Sequence, residues 1–224
     1  MNSIYDPGCR RCARLATFLD SVRQQHPGYF CGPVGPFGDA EASLLVVGLA
    51  PGMHGANRSG RPFTGDFAGI LLYETLYKFG LASSPRSVSV DDGLTLMRAR
   101  ITNAVKCLPP QNKPLPAEIK ECNRYLEAEL AQSPEARVIL ALGAIAHIAV
   151  LRAHRLRVSE YRFAHGAEHA LPGGRVLVDS YHCSRYNTQT RRLTASMFEA
   201  VVGRAVALLD APSKAAHKPQ AAIK

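Results

Sequence analysis

Six cysteines and a handful of loops carry most of the side chains that could do chemistry in this chain. Cys9 and Cys12 form a CxxC near the start, and Cys107 and Cys122 lie far downstream with fourteen residues between them. Four such ligands suit zinc or an iron-sulfur cluster, and their spacing alone leaves that choice open. A thioredoxin-like pair would open a helix directly after a strand, and no strand precedes Cys9. Cys31 reads as a small buried apolar residue. A second candidate is Gly48–Gly69, GLAPGMHGANRSGRPFTGDFAG, rich in Gly and Pro directly after an apolar run. Backbone N–H groups can face an anion or a polar ring there. The segment has neither the GK[ST] of a phosphate loop nor a GxGxxG dinucleotide fingerprint. Taken singly, its residues have ordinary readings. Asp66 is a helix N-cap before FAGILLYETLYKFG, Phe63 an anchoring aromatic and Asn103 a strand-end cap, while His182 is a surface or core histidine. His165 and His169 lack a second pair of ligands and read as loop contacts.

The elements that must position these residues follow from hydrophobic periodicity. Short apolar runs at Leu44–Val47, Ile101–Val105, Val138–Leu142 and Val176–Val178 alternate with longer amphipathic ones at Ile70–Phe79, Ile119–Leu130, Ile145–Leu151 and Met197–Leu209. Strand and helix in strict turn predict an α/β fold, a single domain with a four-stranded, mostly parallel sheet between helices. A further helix spans Arg14–Gln25, stopped by Pro27, and Pro27–Ala40, with its glycines and prolines, is expected to be irregular. In an open parallel sheet, ligands bind beyond the carboxyl ends of the strands. Chemistry is therefore expected in Gly48–Gly69, in KCLPPQNK (Lys106–Lys113) and in DSYHCSRYNTQT (Asp179–Thr190).

The chain has 224 residues, 46% hydrophobic and 20% charged, enough for one full core. The domain is expected over 1–211, with Pro212–Lys224 a basic disordered tail. Twenty-seven Lys and Arg against eighteen Asp and Glu give a net charge of +9, which favours an anionic partner such as nucleic acid. No run approaches the ~18 apolar residues of a membrane span, and MNSIYDPGCRRC lacks the apolar core of a secretory signal. A cytoplasmic chain without membrane contact is expected, in a compartment where thiols stay reduced.

Three stretches together change the reading of the individual residues. GLAPGMHGANRSGRPFTGD (Gly48–Asp66), TNAVKCLPPQNKP (Thr102–Pro114) and SYHCSRYNTQTRRLT (Ser180–Thr194), with the four cysteines, resemble the uracil-DNA glycosylase superfamily, and most closely its family 5. The resemblance runs from about Cys9 to the helix ending near Leu209. It implies a [4Fe-4S] cluster on Cys9, Cys12, Cys107 and Cys122, and a monomeric enzyme that hydrolyses the N-glycosidic bond of uracil in double-stranded DNA. It also implies a range extending to hypoxanthine and ethenocytosine among deaminated or etheno bases.

The same resemblance assigns roles. Gly48, Ala50, Gly52, Phe63 and Asn103 hold the extruded base, Phe63 by stacking and Asn103 by meeting O4 and N3–H of uracil. His182 donates toward O2, where negative charge develops as the base leaves. Many relatives carry an acidic or amide residue where this chain has Leu49 and Ala50; Asp66, later in the loop, is the matching water activator, with His54 in reserve. Ser184, Arg185, Tyr186, Asn187 and Thr190 face the duplex, with Arg185 or Tyr186 as the wedge. Cys183 stands where many members have proline. Arg58, Arg61, Arg191 and Arg192 are expected to meet phosphates. No lysine in these motifs is placed as a Schiff-base nucleophile, so strand cleavage is not expected. Two rival readings are a cluster-bearing damage-recognition protein that cuts nothing, and the uracil-only family 4 enzyme, against which Leu49 argues.

Overall fold

Four apolar strands form the centre of the molecule, because each is covered on both faces and can be hydrophobic at every position. A computed structural model describes residues 5–211; the tail expected over Pro212–Lys224 lies outside them. In chain order the strands are β1 (Phe37–Gly38), β2 (Leu44–Gly48), β3 (Ala99–Asn103), β4 (Val138–Leu142), β5 (Glu168–Ala170) and β6 (Val176–Ser180). They lie in the order β1-β3-β2-β4-β6-β5, with β3, β2, β4 and β6 parallel and the two edges antiparallel. The helices are α1 (Ala13–Gln25), α2 (Ala56–Ser59), α3 (Phe67–Lys78), α4 (Pro116–Ala131), α5 (Ala144–Ala153), α6 (Arg185–Gln189) and α7 (Ala195–Asp210).

Alternate side chains of each strand serve opposite cores, as the period of two demands. Leu44, Val46, Leu140, Leu142 and Val178 pack with Leu72, Leu76, Phe198 and Val202 from α3 and α7. Leu45, Val47, Ile139, Ala141 and Leu177 pack with Leu126, Ala146 and Val150 from α4 and α5. The predicted α/β class, the four parallel strands and the five long helices are all present. Among the described residues no helix is long and apolar enough to cross a membrane.

The sheet has six strands rather than the expected four. The two additions are edge strands of two and three residues, held mainly by backbone pairing to one neighbour, and too short to show a hydrophobic period. β1 falls inside the segment expected to be irregular. Its Gly38 has φ +117, and a Cβ there would press into the carbonyl of Ala99. Two helices of four and five residues inside the motif loops, α2 and α6, were likewise below the length at which periodicity is legible.

Register decides what the fold can do. Gly48 pairs with Asn103, and Leu142 with Ser180, so the four parallel strands end flush and their following loops leave from one edge. Leu140, fully buried on the central strand β4, anchors that register. Leu140→Ala is expected to cost about 2–5 kcal/mol in denaturant unfolding, the usual range for a buried leucine.

Candidate active site

Beyond the flush strand ends lies a cavity of about 530 Å3. It takes residues from every loop that follows a parallel strand, and of the predicted site residues Ala50, Gly52, Phe63, Asp66, Asn103, His182, Ser184, Arg185 and Asn187 line it. Gly48 lies beneath it instead. A Cβ on Gly48 would overlap both the ring of Phe63 and Oδ1 of Asn103, so those two side chains rest directly on the end of β2. Gly69 plays the same part beneath the backbone: a Cβ there would run into the Phe63 carbonyl. Phe63 itself sits at φ +54, a left-handed conformation unfavourable for a bulky residue. The surrounding loop over-determines it. Arg61 is buried, donates to Thr64 Oγ1 at 2.9 Å and pairs with Asp92 at 2.6 Å, and Tyr73 donates to the Pro62 carbonyl at 2.9 Å. Although burial opposes it, Arg61 together with the N–H groups of Leu94, Val88 and Ser89 holds Asp92 well below the ordinary carboxylate range. Arg61 is therefore a loop anchor, and the expectation that it contacts phosphate is corrected: its guanidinium is spent inside the protein.

Asn103 is 2% exposed and its Oδ1 has no hydrogen-bond partner among the described residues. A buried acceptor left unmet is costly, and Asn103 lines the cavity wall with its Oδ1 turned toward Gly48. His182 lies beside Phe63, ring centroids 6.1 Å apart and 28° between planes. Its carbonyl accepts from Asn187 Nδ2 at 2.8 Å, which fixes the turn leading into α6. Burial pushes the imidazole down to about 4, so it is neutral at physiological pH and able to donate one N–H. Asp66 caps α3, its Oδ1 accepting from the Gly69 N–H at 2.7 Å. Burial raises its carboxyl above the ordinary value, and the N–H groups of Gly69 and Ala68 offset only part of that. The cap and the cavity-facing carboxylate thus coexist in one side chain.

The loop after β6 carries the remaining predicted contacts. Ser184 caps α6 by accepting from Asn187 N, and Cys183 is buried in the core with Leu193 and Phe198, occupying the place as a small apolar residue. Arg185 lies over the ring of Phe67 at 5.1 Å. Tyr186 is 70% exposed and does not line the cavity. Thr190 lies outside it too, its hydroxyl turned back to the Tyr186 carbonyl at 2.8 Å. Arg58, Arg191 and Arg192 remain exposed, Arg192 over the Tyr181 ring. His54 is exposed, bonded through Nδ1 to the Tyr29 hydroxyl at 2.9 Å, and stands outside the cavity. Sequence reasoning missed Gly143–Ile145, Phe163 and Asn112 in the lining. Gly143, at φ +95 directly after an apolar strand, carried the same signal as the other strand-end loops; Phe163 carried none.

Cys9, Cys12, Cys107 and Cys122 line one small cavity at the start of α1, together with Leu15, Val105 and Tyr125. None of the four is in a disulfide. Burial first, and then the neighbouring sulfurs, push Cys107 up to about 12, and burial pushes Cys122 up to about 11. Thiolates could gather here only around a cation. Among the described residues, the one set of three His, Cys, Asp or Glu ligand atoms lying within 4.8 Å of one another is His147, His169 and Asp179. The sulfurs are therefore more widely spread than the ~3.8 Å separation that ~2.3 Å bonds to one tetrahedral zinc would give. Cys31 stands apart, buried beside Asn57, as expected of a small core residue.

A mostly parallel sheet with a cavity at its carboxyl edge, lined by a carboxylate, an imidazole and an amide, defines an α/β enzyme that binds its ligand beyond the strand ends. Residues 36–205 match the family described as the uracil DNA glycosylase superfamily, and the chain belongs to that superfamily as a hydrolytic DNA glycosylase of its type-5 branch. It is 50% identical to a type-5 uracil-DNA glycosylase of Thermus thermophilus over 87% of this chain and 90% of the relative. It is 41% identical to one of Pyrobaculum aerophilum over 89% and 88% respectively. A type-4 enzyme of Archaeoglobus fulgidus is 36% identical, over 62% of this chain and 56% of its own. Gly48→Ala is expected to leave the protein folded, while displacing Phe63 and Asn103 enough to lower turnover about 100-fold, as kcat and a melting curve would show.

Proposed function

We propose that the chain excises uracil from double-stranded DNA by hydrolysing the N-glycosidic bond, opening base excision repair and leaving an abasic site. The observation that carries this is that Asp66, His182 and Asn103 all line one cavity, where the loops after the parallel strands converge. An extruded uracil stacks on Phe63 and presents N3–H to Asn103 Oδ1 and O4 to its amide N–H. Neutral His182 donates to O2 as the ring takes up negative charge, in a site where desolvation strengthens the hydrogen bond. Asp66, ionised above its raised pKa, orients water toward the cation-like sugar and stabilises its charge. Ala50 and Gly52 keep that wall small, and a cavity of about 530 Å3 has room for a bicyclic base, which supports hypoxanthine and etheno bases as further substrates.

Ser184, Arg185, Asn187 and Thr190 seat α6 against the backbone, and exposed Tyr186 is the side chain free to enter the gap left by the base. The net charge of +9 supports binding that weakens with salt. Cys9, Cys12, Cys107 and Cys122 would hold a [4Fe-4S] cluster: four thiols on one cavity supply the four ligands that such a core takes. When bound, the cluster supplies a cross-link between α1, the loop after β3 and α4. The chain acts as a monomer in the cytoplasm.

Asp66→Asn keeps a capping side chain, so it is expected to unfold as the wild type does while losing excision of uracil by at least about 100-fold. His182→Ala should lose a similar factor, and both should still bind duplex in a mobility-shift titration. For the wild type, kcat is expected to fall on the acid side as Asp66 is protonated, with its midpoint above the ordinary aspartate value of ~3.9. A profile flat down to that value would remove Asp66 as the base. Anaerobically purified protein is expected to be brown and to contain iron and acid-labile sulfide, with Cys107→Ser losing both and melting lower.

A further inference from the structure

Outside the machinery above, the described residues hold a dense buried polar cluster of His147 on α5, Asp179 on β6 and His169 on β5. Nδ1 of His147 is 2.8 Å from Asp179 Oδ1, and its Nε2 is 3.0 Å from the Tyr161 carbonyl. The carbonyl only accepts, and so does Asp179 as a carboxylate, so a neutral imidazole would set a lone pair against one of them. Both contacts, to an ionised Asp179 and to the carbonyl, are met together when both ring nitrogens carry protons. The other carboxylate oxygen of Asp179 accepts from His169 Nε2 at 3.1 Å. The charged or titratable groups facing His147 are thus Asp179 from β6 and His169 from β5, with Tyr161 contributing its carbonyl. A metal ion is a poor occupant: ~2.0 Å bonds to a tetrahedral ion would hold these ligand atoms about 3.3 Å apart, whereas here they touch as hydrogen-bonded pairs.

What this buried cation holds is the segment before β5. Tyr161 is fixed at one end by His147. At the other end, Gly166 N donates to the Asp179 carbonyl at 2.8 Å and Tyr181 N to His165 Nδ1 at 3.1 Å, with the His165 ring stacked on Tyr181. Between these anchors stands Phe163, edge-on to His147 at 5.6 Å, tilted against Tyr181 at 6.2 Å, and lining the base cavity next to Tyr181 and His182.

We propose that Phe163 is a specificity-determining residue of the base cavity, and that His147, as an imidazolium clamped between Asp179 and the Tyr161 carbonyl, is the positioning residue that places it. The proposal rests on the glycosylase reading of the cavity. Burial alone would lower the His147 pKa, but the hydrogen bond and charge of Asp179 outweigh it and raise it. The clamp is therefore complete at low pH and is lost as pH rises through a value above the ordinary ~6.5 of histidine.

Three measurements test this. In nitrogen-15 spectra of histidine-labelled protein at neutral pH, one buried ring should show two slowly exchanging N–H signals; a single N–H, or a zinc titration that removes the signals and raises the melting point, overturns the clamp. Phe163→Ala should raise KM for a uracil duplex about tenfold, by more than it lowers kcat, and shift preference toward larger bases. An unchanged KM and base preference in an active enzyme overturn the role of Phe163. His147→Gln should raise KM similarly, with the double variant no worse than either single one; additive effects overturn the coupling. Should His147→Gln fail to fold, the wild-type KM must still rise at alkaline pH while that of Phe163→Ala stays flat, and parallel profiles overturn the coupling equally. A wild-type chain that releases no base from any duplex would instead sink the glycosylase reading, and the role of Phe163 with it.

Discussion

The flush ending of four parallel strands is the constraint on which the rest of the structure depends. Because Gly48 lies opposite Asn103 and Leu142 opposite Ser180, the loops that follow these strands converge on one cavity. A register slip would do more than move a loop, since it would exchange the two cores that alternate side chains serve. The glycine at the end of β2 turns this convergence into contact: with no Cβ in the way, Phe63 and Asn103 settle onto the strand itself. Ring and amide are thereby tied to the sheet itself.

Burial then sets the charge states of the site without any dedicated partner charges. The same desolvation raises Asp66 and lowers His182. One low-dielectric cavity therefore holds a carboxylate of increased basicity and an imidazole kept neutral, a difference that a water-filled groove would erase. The N–H groups of Gly69 and Ala68 at the start of α3 act against that burial on the same carboxylate.

Two further clusters tie distant segments to this centre. The four cysteines gather where α1, the turn after β3 and α4 meet, within an apolar group around Leu15, Val105 and Ile119. On the same face of the sheet, His147, Asp179 and His169 join α5, β6 and β5 through hydrogen bonds. A buried polar cluster of this kind is satisfied in only one arrangement, and so specifies geometry more sharply than an apolar contact would.

The alternation of short apolar runs with amphipathic ones made the α/β class, the four central strands and the long helices legible in the sequence, since burial on both faces writes itself as uninterrupted hydrophobicity. The motif stretches and the resemblance they carry pointed to Phe63, Asp66, Asn103 and His182, and the structure brings those four to one cavity. The edge strands β1 and β5 were illegible because they are held by backbone pairing, which leaves little trace in side-chain type. Arg61 reads in sequence as a free cation near a loop; only folding brought Asp92, thirty-one residues away, to neutralise it. Phe163 and His147 are likewise unremarkable in sequence and meet only because the chain after α5 folds back on that helix. Local pattern determined which segments became strands and helices, whereas the partners of each charged or aromatic side chain were decided by tertiary structure, because hydrogen bonds and ion pairs form between groups whose separation along the chain carries no signal.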